Sequence, residues 1–475
     1  MMITQTASTS TSAILYAIRE LARRAGASPA EIERWRVEIA PHTVTISPEP
    51  ASSARIVFAT DRSKPQRLEA LLERPPSYYG WMHEPPEHLR DLVPDFVVPF
   101  EDDVNDGPLF AAIGADEIRC RGDIITATLW MLSRTDEWGV HVLDDHGRFR
   151  ADASVAARNG FLERPIVDEY GLAFAQALKT LVPRWHGSDR MLRVKLSHDI
   201  DHVGYPRRPR GTAALLLRHR NAGAFFTDAA SYAGIGRPAH LGAVERLARL
   251  SRGRGIDSAF YFKATTRPTL WDSGYDPALR AVRDVILQLQ REGFEIGIHP
   301  GYETFHSQAL LDAEVRVLRS VAGSGPMGGR QHYLRWDPST WVAWERAGLS
   351  YDSTLGYAES MGFRAGTCLP YHPWSSIDDR ELALLEIPLI VMDRTPVEYM
   401  GLSNAATLQR VDALIARCRA VGGVFTLLWH NNSLVEPPYT TLYPQLLDRL
   451  SHQTRFDWRS ECAIAPLPNL SHATR

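Results

Sequence analysis

Residues 192–202 read LRVKLSHDIDH, a run in which apolar and polar side chains alternate before two aspartates and two histidines arrive together. The alternation in LRVKLS predicts a β-strand. If that strand continues through Ile200, Asp199 and Asp201 share one face while His198 and His202 take the other. Two carboxylates so close do not both ionise unpaired. A metal cation or an arginine would let them, and a division into one metal ligand and one general base would use the pair. The competing reading is a loop in which the aspartates cap the next helix.

Working outward, the same design recurs. Strand candidates lie at 258–263 (SAFYFK), 294–298 (FEIGI), 331–334, 385–392 (LEIPLIVM) and 424–429 (VFTLLW). Amphipathic helices are predicted at 277–292, 308–320, 338–347 and 406–420, the last stopped by Gly422-Gly423. Strands alternating with helices predict a parallel β/α architecture. Several candidates run straight into ionisable residues: His299 after FEIGI, Asp393 after LIVM and His430 after LLW. In such folds functional groups gather at the carboxyl ends of strands. Pro300-Gly301 ends its strand in a turn and leaves His299 at that rim. A carboxylate with imidazoles suits zinc or a similar divalent ion. In the segment 329–338, Arg330 and His332 share a face; Arg330 either pairs with Asp199 or merely caps a strand end. Asp393 could orient an imidazole, whose second ring nitrogen needs a carboxylate or carbonyl partner.

The first part of the chain reads differently. An amphipathic helix at 12–25 is followed by short β-type runs between 44 and 123 and helices at 124–133 and 170–181. The polar break at 185–190 divides a smaller α+β domain, 1–188, from the β/α domain, 189–475. With 53 Lys plus Arg against 56 Asp plus Glu the net charge is −3, so the footprint of a nucleic-acid binder is missing. The cluster Arg207, Arg208, Arg210, Arg218 and Arg220 is therefore read as a solvated or anion-binding helix flank. The four cysteines, Cys120, Cys368, Cys418 and Cys462, show no C-x-x-C spacing, which fits a reducing compartment. No apolar run is long enough for a membrane span and the N-terminal stretch lacks the basic region of a signal peptide; a cytoplasmic location is the expectation. The oligomeric state is not legible.

Seven segments in order, SHDID, EIGIHP, RQHYLR, YDSTLG, GFRAGT, EIPLIVMD and LLWHN, resemble the divergent polysaccharide deacetylases of carbohydrate esterase family four over roughly residues 190–450. WMLSRTDEW, DDHGRFRADAS and RPIVDEY look like the N-terminal domain that accompanies one branch of these proteins. The resemblance implies a distorted β/α barrel holding one divalent metal, with zinc the natural choice. It implies Asp199 as general base, Asp201 and His299 as metal ligands, Arg330 as the arginine that holds the base, and His430 as general acid. Here Ile200 separates aspartates that the family has adjacent, and Glu303 stands where the family has its second histidine ligand. For the third ligand His332 keeps the residue type and is preferred; Glu303 keeps the spacing, and His306 would need the turn to fold back. Arg364 and Trp374 are candidate substrate contacts. The implied activity is removal of an N-acetyl or O-acetyl group from a carbohydrate or sugar conjugate. The alternatives are hydrolysis of a non-sugar amide on the same framework and carbohydrate binding without catalysis.

Overall fold

The computed structural model describes residues 9–49, 51–102, 105–137, 142–204, 209–218, 220–233 and 235–462. Arg207 and Arg208 of the basic cluster and the first eight residues lie outside them. The strand Arg193–Ile200 occupies the centre of a parallel sheet. Ser258–Phe262 and then Glu295–Ile298 extend the sheet on one side, Val424–Leu428 and then Val391–Met392 on the other. Parallel strands place all their carboxyl ends on one rim. Both faces of these strands are buried, one of them packing Ala259, Tyr261 and Val424 against Tyr351, Leu385 and Ile387, which explains why SAFYF and VFTLL are almost wholly apolar.

Two predicted strands are altered. The segment 331–334 is a helical turn, His332–Leu334, with Tyr333 and Leu334 both in the left-handed region at φ 61° and 55°. Only Gly329 keeps the sheet's path there, through single bridges to Ile298 and Asp352. The predicted strand 385–392 is split: Leu385–Glu386 pairs with Tyr351–Asp352, and Val391–Met392 with the strand Val424–Leu428. Pro388 lies in the interruption, and a proline has no N–H to offer a ladder. The Thr426 hydroxyl fills in, donating to the Pro388 carbonyl at 2.6 Å and accepting from the Ile390 N–H at 2.8 Å. Among the described residues the pairing thus gives an α/β chain with a parallel sheet, without a continuous closed ring of strands.

The N-terminal region forms a second, five-stranded sheet in the order Arg36–Ile39, Thr43–Ser47, Arg55–Ala59, Glu117–Cys120, Phe110–Ala112. The predicted first helix spans Thr11–Ala25, capped by the Ser10 hydroxyl and stopped by Gly26 at φ 100°. The helix predicted at 170–181 begins earlier, at Ile166, directly after Pro165. The apolar core runs without interruption from this region (Ile14, Phe58, Phe174) into the parallel sheet (Leu196, Phe260, Leu427). Among the described residues no helix is long and apolar enough to cross a membrane.

Candidate active site

Asp199 is the penultimate residue of its strand and Asp201 lies just past its end. Both face a cavity of about 250 Å³ at the carboxyl rim, together with His299, His332 and His430. Strand alternation accounts for the pair's common face: His198 points away, its Nδ1 3.0 Å from the Trp429 carbonyl and its ring against Phe260. His202 departs from the expected alternation, because the strand has ended; it is exposed at the cavity's margin.

Asp201, His299 and His332 converge on one point, with ligand-type atoms all within 4.8 Å of one another. Asp201 Oδ1 is 3.3 Å from His299 Nε2 and 3.5 Å from His332 Nε2. Donors about 2.1 Å from a zinc-sized ion at tetrahedral angles stand about 3.4 Å apart. Asp201 Oδ1 and His299 Nε2 are buried and complete no hydrogen bond, a costly state unless something else takes their lone pairs. The tautomer of His299 follows from its partner. His299 Nδ1 lies 2.7 Å from the Arg330 carbonyl, which can only accept, so the proton is on Nδ1 and Nε2 presents a lone pair. His332 Nδ1 lies 3.0 Å from Asp272 Oδ1 and 2.8 Å from the Lys263 ammonium, which also stands 3.1 Å from Nε2, so these contacts do not single out one tautomer. Burial and the Lys263 ammonium push His332 down to about 3, so the ring is neutral, as a ligand must be. Burial alone would raise Asp201, but His299, His332, Lys263 and His430 outweigh it and hold the carboxyl well below its usual range. These residues fit a divalent ion.

On one side of the triad, the fully buried Arg330 fixes Asp199. Its Nη1 donates to Asp199 Oδ1 at 2.9 Å, while the remaining donors go to Ser353 and Ser197. On the other side His430 Nδ1 donates to Asp393 Oδ1 at 2.7 Å, and its Nε2 lies 3.8 Å from Asp201 Oδ2. Burial would lower His430, but Asp393 and then Asp201 outweigh it and push the imidazole up to about 9. Asp393 is itself held by the His430 N–H and the Ser433 hydroxyl.

With this geometry in hand, the chain can be compared with known proteins. Residues 82–183 match a family described as a family of unknown function, DUF7033. No curated protein matches the chain. Among solved structures, a protein described as a polysaccharide deacetylase from Mycobacterium smegmatis aligns at 18% identity over 59% of this chain and 91% of that one, TM-score 0.40. PuuE allantoinase aligns at 16% identity over 59% and 91%, TM-score 0.38. A protein described as a polysaccharide deacetylase from Pseudomonas aeruginosa PAO1 aligns at 16% over 57% and 89%, TM-score 0.37. At such identities and scores the chemistry of the site rests on its own residues.

Four sequence candidates stand elsewhere. Glu303 is exposed on the turn Tyr302–His306 and does not face the triad, because that turn carries its side chain outward; His306 is likewise exposed, 3.8 Å from Asp337. Arg364 is buried in a bidentate pair with Glu137, at 2.9 and 2.7 Å, and ties the N-terminal region to the second half. Trp374 is buried against Tyr16 and does not line the cavity. Conversely, Lys263 and Asp272 were not among the candidates. The Lys263 ammonium lies 3.1 Å from Asp272 Oδ1, 2.8 Å from His332 Nδ1 and 4.0 Å from Asp201 Oδ1. It follows directly on the strand Ser258–Phe262, so the strand-end pattern that marks His299 and His430 also reaches it.

Proposed function

We propose that the chain is a metal-dependent hydrolase that removes an acetyl group from nitrogen, or from oxygen, on a carbohydrate or sugar conjugate. The observation that carries this reading is the pairing of opposites around one triad: a carboxylate fixed by Arg330 on one flank and an imidazole fixed by Asp393 on the other, both on one cavity. Asp201, His299 and His332 would hold the ion. A divalent ion bound there lowers the pKa of water and polarises an acyl oxygen. Asp199 takes the proton from the attacking water, with Arg330 as the positioning residue that aims its free oxygen. His430 delivers the proton that the departing amine needs, and Asp393 keeps the imidazole's Nε2 turned to the cavity. Pushed up to about 9 by Asp393 and Asp201, His430 holds its proton at neutral pH. That suits an acid waiting for a leaving group. The resemblance of the seven ordered segments supplies the substrate class, and zinc is the ion that the donor set favours.

A second reading, carbohydrate binding without catalysis, is favoured by one observation: the Lys263 ammonium sits where a positive charge opposes a cation in the triad. Metal analysis of the native protein with a deacetylation screen on N-acetyl sugars separates the two. The hydrolase reading expects about one divalent ion per chain and acetate release that a chelator abolishes. Protein that stays metal-free after incubation with zinc and releases no acetate leaves the binding reading.

A further inference from the structure

Beyond Asp201 the chain forms a pair of helices that the acetyl chemistry does not use, Pro209–Leu217 and Ala222–Tyr232, packed on each other as a hairpin. A surface hairpin ordinarily turns apolar side chains inward and polar ones to water. This one partly inverts that order. Leu215 is buried and Phe225 packs against the core, as expected. Between the helices, however, lies a polar contact: the buried Thr212 hydroxyl donates to the buried Asp228 carboxylate and stands 3.1 Å from the Tyr232 hydroxyl. On the outside, Leu217 is 80% exposed, Phe226 67% and Ile235 68%, with Leu216 and Tyr232 exposed beside them. Of the fifteen large apolar side chains exposed among the described residues, these five fall within twenty residues of sequence, so they form a patch rather than scattered singles.

Charge indicates what covers the patch. Residues 205–236 hold five arginines, no lysine and one acidic residue, Asp228, in a chain whose net charge is −3. Asp228 is the one turned inward. Arg218 and Arg220, at the turn between the helices, are exposed and make no ion pair among the described residues. The turn is braced: Asn221 accepts from the Ala224 N–H at 2.9 Å and donates to the Val435 carbonyl at 2.7 Å. Leucine and phenylalanine beside unpaired guanidinium groups match the boundary between lipid headgroups and acyl chains, where apolar side chains enter the hydrocarbon edge and arginines meet phosphates. A nucleic acid would leave Leu217 and Phe226 facing water. We propose that the hairpin 209–232 docks the protein on an anionic membrane surface, with Leu217 and Phe226 entering the lipid and Arg218 and Arg220 contacting headgroups. Arg218 also borders a cavity of about 490 Å³ that shares His202, Arg394, Glu398 and Asn432 with the cavity of the triad, so a docked hairpin sets the mouth of the site beside the lipid. Docking in this way requires neither metal nor hydrolysis.

The test is flotation of the full chain with vesicles of phosphatidylcholine alone and with about one third phosphatidylglycerol. The protein should float with the anionic vesicles, stay behind with the neutral ones, and be released as salt rises. Leu217→Ser combined with Phe226→Ser should lower partitioning by about tenfold or more. Arg218→Ser combined with Arg220→Ser should lower it by about fivefold for each charge lost. Both variants should keep the wild-type melting temperature, because the side chains changed are exposed; should the apolar variant melt lower, the arginine variant and the lipid dependence decide. Asp201→Asn, which removes a metal donor, should float like wild type. Flotation by protein that holds no metal and releases no acetate upholds docking and overturns the proposed function, whereas hydrolysis without flotation overturns docking alone. Equal flotation with neutral vesicles, or flotation that both variants leave at the wild-type level, overturns it too. So does wild-type protein that ignores both vesicles and instead binds duplex DNA through these arginines, or forms a dimer that Leu217→Ser with Phe226→Ser dissociates; nucleic acid or a second copy is then the occupant.

Discussion

Two histidines on the same rim each have an aspartate partner and differ in charge. His332 Nδ1 lies 3.0 Å from Asp272 and His430 Nδ1 lies 2.7 Å from Asp393. Yet burial and Lys263 take His332 down to about 3, while Asp393, against the effect of burial, takes His430 up to about 9. A carboxylate partner alone does not set the state of an imidazole. The third charge does: Lys263 neutralises Asp272 on one side, whereas His430 faces Asp393, Asp201 and Asp199 with no cation among its chief influences. The cavity thereby separates a neutral ring suited to a metal from a protonated ring suited to a leaving group.

The largest effect expected is on the neutral side. Asp201→Ala and His299→Ala should each abolish stoichiometric metal and bring acetate release to background, because each removes one of the three donors that converge among the described residues. Elemental analysis and activity on an N-acetyl sugar check it; metal at the wild-type level in both variants would sink the ligand assignment.

On the charged side, His430→Ala should cost about 10²- to 10⁴-fold in rate with metal content nearly unchanged, the ordinary price of losing a general acid. An ester with an activated leaving group should suffer less than the amide. Equal losses on both, or loss of metal, would remove His430 from proton delivery.

Asp393→Asn sharpens the contrast through pH. Without the carboxylate His430 should fall from about 9 toward the unperturbed value of about 6.5. An acid works only while protonated, so activity is lost as pH rises through its value. The alkaline limb of the rate profile should therefore move to lower pH in Asp393→Asn. A limb that stays in place shows that another group sets it.

Much of this site is legible in the chain, and the part that is not has a common cause. Asp199, Asp201, His299, Asp393 and His430 follow apolar runs, and the rule that parallel strands share a carboxyl rim brings them together without further information. Arg330 and Asp199 meet for the same reason, from neighbouring parts of that rim. His332 is reached by a route the alternation does not describe, a left-handed turn rather than a strand, so residue type and not period singles it out. Asp272 comes from an irregular loop whose shape depends on partners distant in sequence, including the Tyr302 N–H and Lys263. Arg364 is misread for a related reason: its partner, Glu137, belongs to the N-terminal region, and no local pattern in GFRAGT announces a buried ion pair across that distance. The sheet's interruption at Pro388 is written in the sequence, but the Thr426 hydroxyl that compensates for it is not.

The smallest expected effect tests the origin of the asymmetry itself. Lys263→Met keeps the length of the side chain and removes its charge, leaving Asp272 to act on His332 alone. If the ammonium is what separates the two imidazoles, His332 should then resemble His430 and its value should rise from about 3 toward or beyond the ordinary value of about 6.5. The measurement is an imidazole titration by NMR on chelator-treated protein, with the His332 resonance assigned by its absence in His332→Gln. Treatment with chelator matters, since a bound cation would mask the proton equilibrium. His430 should move little, because Lys263 is not among the groups that chiefly set its value. Burial opposes the change at both sites alike, so it cannot produce a shift confined to His332. A His332 value that stays low in Lys263→Met would mean that desolvation, the larger of the two lowering influences, suffices by itself, and that Lys263 serves to hold Asp272 in place rather than to keep the ring neutral.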